Sequence, residues 1–166
     1  MDVGRVVMSR TTRPDGLRTR LDELPEEYRA TLHDSLEGLT EQEARASLVP
    51  SKTTLLGLLK HVTFVEAVWF GEAVSGRPRR ELGVASNPDR SFVLRKVDTI
   101  ASVQMAHRET CEASRRATAE LALDDEVTGT GIRALWQLYL QVLRELAQHA
   151  GHADILREQV LAARQA

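Results

Sequence analysis

The sequence has a single cysteine, few aromatic residues and almost no net charge. With only Cys111 among its 166 residues, no disulfide can form within the chain, and we expect a cytoplasmic location. Aromatic residues make up 4% of the chain, so its core must consist largely of Leu, Val and Ala, which favours helices over a β-sandwich. The formal net charge of −2 gives no indication of nucleic-acid binding.

Long apolar runs and several familiar motifs are also missing. No stretch approaches the roughly 18 apolar residues of a membrane-spanning helix, so we expect no membrane insertion. The N-terminal residues lack an apolar segment followed by a small-residue cleavage site, which argues against a secretion signal. P-loop, GxGxxG, HExxH and CxxC motifs are all absent, so neither a phosphate-binding loop nor a common metalloprotease site is predicted.

Helical spacing of apolar residues recurs in four long stretches and predicts an all-α four-helix bundle. We expect a single bundle domain over residues 21–166, preceded by an N-terminal arm of residues 1–20 with little structure of its own. The four helices are expected at about 25–39, 54–75, 98–123 and 131–163, with a short helix after Thr40.

The connection between the second and third helices is long. Residues 76–97 contain Gly, Pro and Asn without sustained periodicity, so we expect a crossover pinned to the bundle by Phe92 and Leu94. Asp98 and Thr130 are the residues we expect to cap the N-termini of the last two helices.

The last helix carries polar groups in the middle of an apolar stripe. Steps of four and three residues place Glu145, His149 and His152 on one face, between apolar positions at both ends. Because unpaired buried polar groups are unfavourable, this seam needs either a metal ion or a hydrogen-bond network. The spacing alone leaves both readings open.

A second histidine lies in the apolar seam of an earlier helix. His61 occupies such a position in the helix expected at 54–75, and packing this seam against the last helix would bring it to Glu145 and His149. Two imidazoles and a carboxylate are ligands that zinc and related ions prefer, and three protein ligands leave a coordination position open. A di-iron site is disfavoured, because it requires an ExxH motif on each of two helices and two further Glu residues.

Another pair of metal-competent residues is His107 and Cys111, which are four residues apart on the third predicted helix. No further Cys or His lies nearby on that helix, so we expect a surface histidine and a half-buried thiol rather than a metal site.

Three segments resemble a known family. Residues 53–61 (TTLLGLLKH), 66–70 (EAVWF) and 145–158 (ELAQHAGHADILRE) are similar to the DinB/YfiT-like metalloenzymes, in particular to an actinobacterial branch. The likeness extends from about residue 24 to residue 163. It implies a four-helix bundle with a long crossover and a divalent metal ion held between two helices.

By its motifs, the resemblance assigns His61, Glu145 and His149 as metal ligands. This His/Glu/His set is similar to that of the mycothiol-dependent maleylpyruvate isomerases. The family implies zinc, with nickel or another first-row ion as alternatives. His152, one turn further on, is expected in the wall of the site or as a replacement ligand for His149.

The family also implies a reaction class. Relatives of known activity are mostly S-transferases or isomerases that use mycothiol, bacillithiol or glutathione, with the metal holding the thiolate that attacks an electrophile. The similar isomerases carry an additional C-terminal domain, so we expect a transferase or an unassigned activity rather than the isomerase reaction. Its partners would be a small-molecule thiol and an electrophilic substrate, and relatives often form homodimers. The alternative is a non-enzymatic metal- or ligand-binding bundle, for example one that acts in a stress response.

Overall fold

The computed structural model describes residues 14–164, most of which are helical. The helices are α1 (Pro14–Asp34), α2 (Glu41–Ala44), α3 (Leu55–Glu66), α4 (Ala73–Ser75), α5 (Pro88–Ser91), α6 (Ile100–Thr118) and α7 (Leu135–Ala163). A π-helical segment, Ala67–Glu72, joins α3 to α4 without a break. Two short antiparallel strands, β1 (Glu126–Val127) and β2 (Arg133–Ala134), form a hairpin before α7.

Four long helical rods pack into a bundle, which confirms the predicted fold class. The first, third and fourth rods are α1, α6 and α7, and the second runs from α3 through the π-helical segment to α4. Helix α3 packs against both α6 and α7, and α1 packs against α7. The long crossover is also confirmed, and Phe92 and Leu94 pack from it against the core. None of the helices within residues 14–164 is long and apolar enough to span a membrane.

Leucine dominates the core, as the low aromatic content predicts. The bundle centre is formed by fully buried leucines of α1, α3, α7 and the turn that follows α1, and each contributes about 1.5–3 kcal/mol by leaving water. They are Leu32, Leu36, Leu56, Leu58, Leu59, Leu135, Leu138 and Leu146.

The first helix begins earlier than the sequence indicates. An arm was expected up to residue 20 and a helix from about Pro25, but α1 begins at Pro14 and contains Pro25. The guanidinium of Arg18 donates hydrogen bonds to the carbonyls of Thr118 and Leu121 at the end of α6. This contact adds hydrogen bonds to carbonyls at the C-terminus of α6 and just beyond it, and it holds the first turns of α1 on the bundle. Residues 1–13 of the expected arm lie outside the described residues.

The second rod has the expected extent and one unexpected feature. Thr54 caps α3 by accepting a hydrogen bond from the Gly57 amide, and Gly76 ends α4 in a left-handed conformation.

The π-helical segment was not predicted. Close beside it, the Gly129 amide donates to the Ala73 carbonyl, and a Cβ at residue 129 would lie 2.0 Å from the Glu72 carbonyl oxygen. Only glycine fits at this contact.

Both predicted caps of the later helices are wrong. Thr99, not Asp98, caps α6, because the Asp98 carboxylate is buried and paired with Lys60 and Arg95. Helix α7 begins at Leu135 rather than after Thr130, since the hairpin occupies the preceding residues. The carbonyls of Asp125 and Leu123 accept from the first amides of α7, which therefore needs no Ser or Thr cap.

Candidate metal centre

Helices α3 and α7 bring three metal-competent side chains together. His61 comes from α3, and Glu145 and His149 come from successive turns of α7. One potential ligand atom from each residue lies within 4.8 Å of those of the other two. The two apolar seams therefore pack face to face, and the sequence-predicted residues meet.

The separation of these atoms suits a small divalent ion after a modest adjustment. Ligand atoms at about 2.1 Å from a tetrahedral ion stand about 3.4 Å apart. The observed limit of 4.8 Å exceeds this by about 1.4 Å, which side-chain rotation can close. The residues present fit such an ion, whereas metal binding itself stays a prediction.

Burial keeps both imidazoles in the form that binds metals. Desolvation, with a smaller effect from His149, lowers the pKa of His61 to about 4. Desolvation also lowers the pKa of His149, and the nearby Glu145 carboxylate opposes that shift. At neutral pH the two rings are therefore neutral and can offer nitrogen lone pairs.

The alternative reading, a hydrogen-bond network among the three residues, is not what the structure shows. His149 Nε2 lies 3.7 Å from Glu145 Oε2, which is beyond hydrogen-bond distance. Glu145 Oε1 instead accepts from Gln141 and Arg144. His61 and His149 meet edge to face with ring centroids 4.6 Å apart. Among the described residues, no hydrogen bond joins two members of the triad.

Residues of the crossover surround His61. Its Nδ1 lies 2.6 Å from the Ser91 hydroxyl, and the Phe92 ring stacks on it at a centroid distance of 3.9 Å. Sequence reasoning did not identify Ser91, and no motif around it would have done so. By contrast, the buried Nδ1 of His149 has no hydrogen-bond partner among the described residues.

His152 lies beside the triad rather than within it. Its side chain is exposed, and its ring centroid is 5.6 Å from that of His149. Within residues 14–164, the set of mutually close ligand atoms consists of His61, Glu145 and His149. A place for His152 in the wall of the site, or as a replacement ligand, remains a prediction.

His107 corrects another expectation, because it is fully buried instead of lying on a helix surface. His33 Nε2, from α1, lies 2.9 Å from His107 Nδ1, and the Cys111 sulfur lies 3.5 Å from His107 Nε2. The sequence could not show this, since His33 is 74 residues away. Burial, with smaller effects from His33 and nearby arginines, lowers the pKa of His107 to about 3.

This buried histidine should make the protein sensitive to acid. The unfolded chain binds a proton at His107 below its ordinary pKa of about 6.5, whereas the folded chain does so only near pH 3. Its contribution to stability is therefore complete above about pH 6.5 and is lost as the pH falls towards 3. At pH 5 we expect a loss of about 2 kcal/mol from this residue.

Urea unfolding at pH 8 and pH 5 measures this effect. His107→Gln removes the titrating group, so the variant should lose about 2 kcal/mol less than the parent between these two pH values. Equal losses in parent and variant would show that His107 does not titrate in this way.

The sequence matches the model of a known protein family. A family model described as mycothiol-S-transferase matches residues 20–162, which is most of the chain. The chain belongs to this family. Mycothiol-S-transferases are DinB/YfiT-like, so the resemblance inferred from the sequence motifs is confirmed. The family description supports a mycothiol-S-transferase-like function for the bundle. A search of curated proteins found no match to this chain.

Proposed function

We propose that this protein joins mycothiol to an electrophile: the mycothiol thiolate forms a new S–C bond and the leaving group of the electrophile departs. The reaction would take place at a divalent metal ion held by His61, Glu145 and His149. The observation that carries the proposal is the meeting of these three side chains in a member of the mycothiol-S-transferase family. Zinc is the ion that two imidazoles and one carboxylate suit best, and nickel or another first-row ion is the alternative.

The site residues prepare the reaction in distinct ways. His61 and His149 remain neutral at neutral pH through burial. Glu145 supplies a carboxylate, and its Oε1 accepts a hydrogen bond from Gln141, which holds the group in place. A bound divalent ion would supply the Lewis acidity that keeps a thiol ligand deprotonated at neutral pH. Phe92 covers one face of the His61 ring, and the burial of His61 and His149 strengthens their electrostatic interactions with the rest of the site.

The chain has no competing nucleophilic thiol of its own. Cys111 is buried, and desolvation together with Glu66 raises its pKa to about 12. A thiol with this pKa is protonated and unreactive at neutral pH. The sulfur nucleophile must therefore come from a co-substrate, which fits a transferase that uses a low-molecular-weight thiol.

One observation favours the alternative of a non-enzymatic binding protein. A cleft of about 630 Å³ lies between α3, the crossover and α6, and none of the triad residues lines it. Its walls include apolar side chains such as Phe64 and Val84, with Lys60 and Arg90 nearby. Such a cleft could hold a ligand without any metal chemistry.

Homodimerisation and a cytoplasmic location stay predictions from the sequence.

A conjugation assay distinguishes the two functions. The protein, with zinc restored, is incubated with mycothiol and monochlorobimane, and bimane conjugation is followed by fluorescence. We expect turnover that is lost on chelation of the metal and lost in His149→Ala, whereas Cys111→Ala stays active. Metal binding without turnover, with mycothiol, bacillithiol and glutathione each tested, would contradict the transferase and favour the binding protein.

A further inference from the structure

The partner of His61 in the crossover determines which ring nitrogen is free. Ser91 is almost completely buried, and its Oγ lies 2.6 Å from His61 Nδ1. The same hydroxyl makes a short hydrogen bond to the Pro88 carbonyl oxygen. Ser91 therefore contacts one atom that can only accept a hydrogen bond and one that can donate or accept.

The direction of both hydrogen bonds follows from the number of protons. A serine hydroxyl has one proton and accepts through its lone pairs. Because the Pro88 carbonyl can only accept, the Ser91 proton points towards it. The contact with His61 must then run from Nδ1–H to the Ser91 oxygen. In a neutral imidazole this leaves the lone pair on Nε2.

We propose that Ser91 is a positioning residue that fixes His61 in its Nδ1–H tautomer and so directs the Nε2 lone pair towards Glu145 and His149. The metal-binding role of this lone pair rests on the proposed function. Groups that bond the second nitrogen of a metal-binding histidine commonly set its tautomer and orientation.

The crossover is built to hold this hydroxyl in place. Asn87 caps α5 by accepting from the Arg90 amide, and Pro88 occupies the first turn. The short helix packs on α3 and ends at Ser91, directly opposite His61. The next residue, Phe92, stacks nearly parallel to the imidazole, with 12° between the ring planes. One short segment thus sets both the tautomer and the plane of the ring.

Metal affinity provides the first test, measured by competition with a chelating dye. Ser91→Ala should weaken zinc binding about 10–100-fold, whereas Ser91→Thr, which keeps the hydroxyl, should restore most of the affinity. Ser35→Ala is a matched control, because Ser35 is also buried and also donates to the carbonyl three residues earlier. It should leave zinc binding unchanged. Equal zinc affinities of the parent and Ser91→Ala would overturn the proposal.

The tautomer itself is read from ¹⁵N NMR of histidine-labelled, metal-free protein. The His61 signals, identified by their loss in His61→Gln, should show a protonated Nδ1 and an unprotonated Nε2. Ser91→Ala should lose this single tautomer, and Ser35→Ala should keep it. An unprotonated Nδ1 in the parent refutes the role of Ser91. A parent that shows the expected tautomer but binds no metal refutes the proposed function instead.

Discussion

Glu66→Ala is expected to destabilise the protein by about 3–5 kcal/mol. Glu66 is fully buried, and its two oxygens accept from Nε and Nη2 of Arg29 at 2.9 and 2.8 Å. Arg29 is itself buried, so removal of the carboxylate leaves a guanidinium in the core with its main counter-charge gone. The free energy of unfolding, measured in urea at pH 8, should show this loss.

Arg29 offers a matched control in its second partner. Glu26 accepts from Nη1 of Arg29 at 2.6 Å, but its side chain is partly exposed and also pairs with Arg115. Glu26→Ala should therefore change stability by less than about 1 kcal/mol. Replacing both buried partners, in Arg29→Met/Glu66→Leu, should recover most of the stability, because no charge then remains unpaired. Similar losses in the two single glutamate variants would contradict this account.

Removal of one triad residue is expected to weaken zinc binding about 10²–10³-fold. Zinc sites with four protein ligands bind with about 10–16 kcal/mol, so one ligand contributes roughly 2.5–4 kcal/mol. His61→Ala, Glu145→Ala and His149→Ala should each show a loss of this size. The dissociation constants are measured on metal-stripped protein by competition with a chelating dye.

His152→Ala is the matched control for this series. His152 is a histidine of the same helix one turn beyond His149, but it is exposed and outside the set of mutually close ligand atoms. We expect its replacement to change affinity by no more than a few-fold. A loss in His152→Ala as large as that in His149→Ala would make His152 a ligand and revise the triad.

The parts of the fold that could be predicted are those that leave a periodic signal. Apolar residues at helical spacing indicated four long helices, and the same spacing placed His61, Glu145 and His149 in seams facing the core. Burial of polar groups in such seams demands a shared partner, so the meeting of the three side chains could be anticipated.

The remainder depends on contacts between distant residues, which spacing does not record. His33 and His107 are 74 residues apart, and Arg29 and Glu66 are 37 residues apart. The early start of α1 depends on Arg18 reaching the end of α6. Such pairings follow from how the helices pack, and each residue alone reads as an ordinary polar position on a helix.

The local errors have a similar origin. Asp98 has the chemistry of an N-cap, but Lys60 and Arg95 hold its carboxylate elsewhere. Thr130 likewise precedes an apolar run, yet it lies in a hairpin whose close packing depends on Gly129. In both places a tertiary contact overrides a local preference.

The central claim is that one divalent ion binds between α3 and α7. Anomalous diffraction above and below the zinc absorption edge, from crystals of zinc-loaded protein, tests it most directly. The account predicts one strong anomalous peak within about 2.0–2.2 Å of a nitrogen of His61, a nitrogen of His149 and an oxygen of Glu145. A peak at other residues, or no peak between these three, would contradict it.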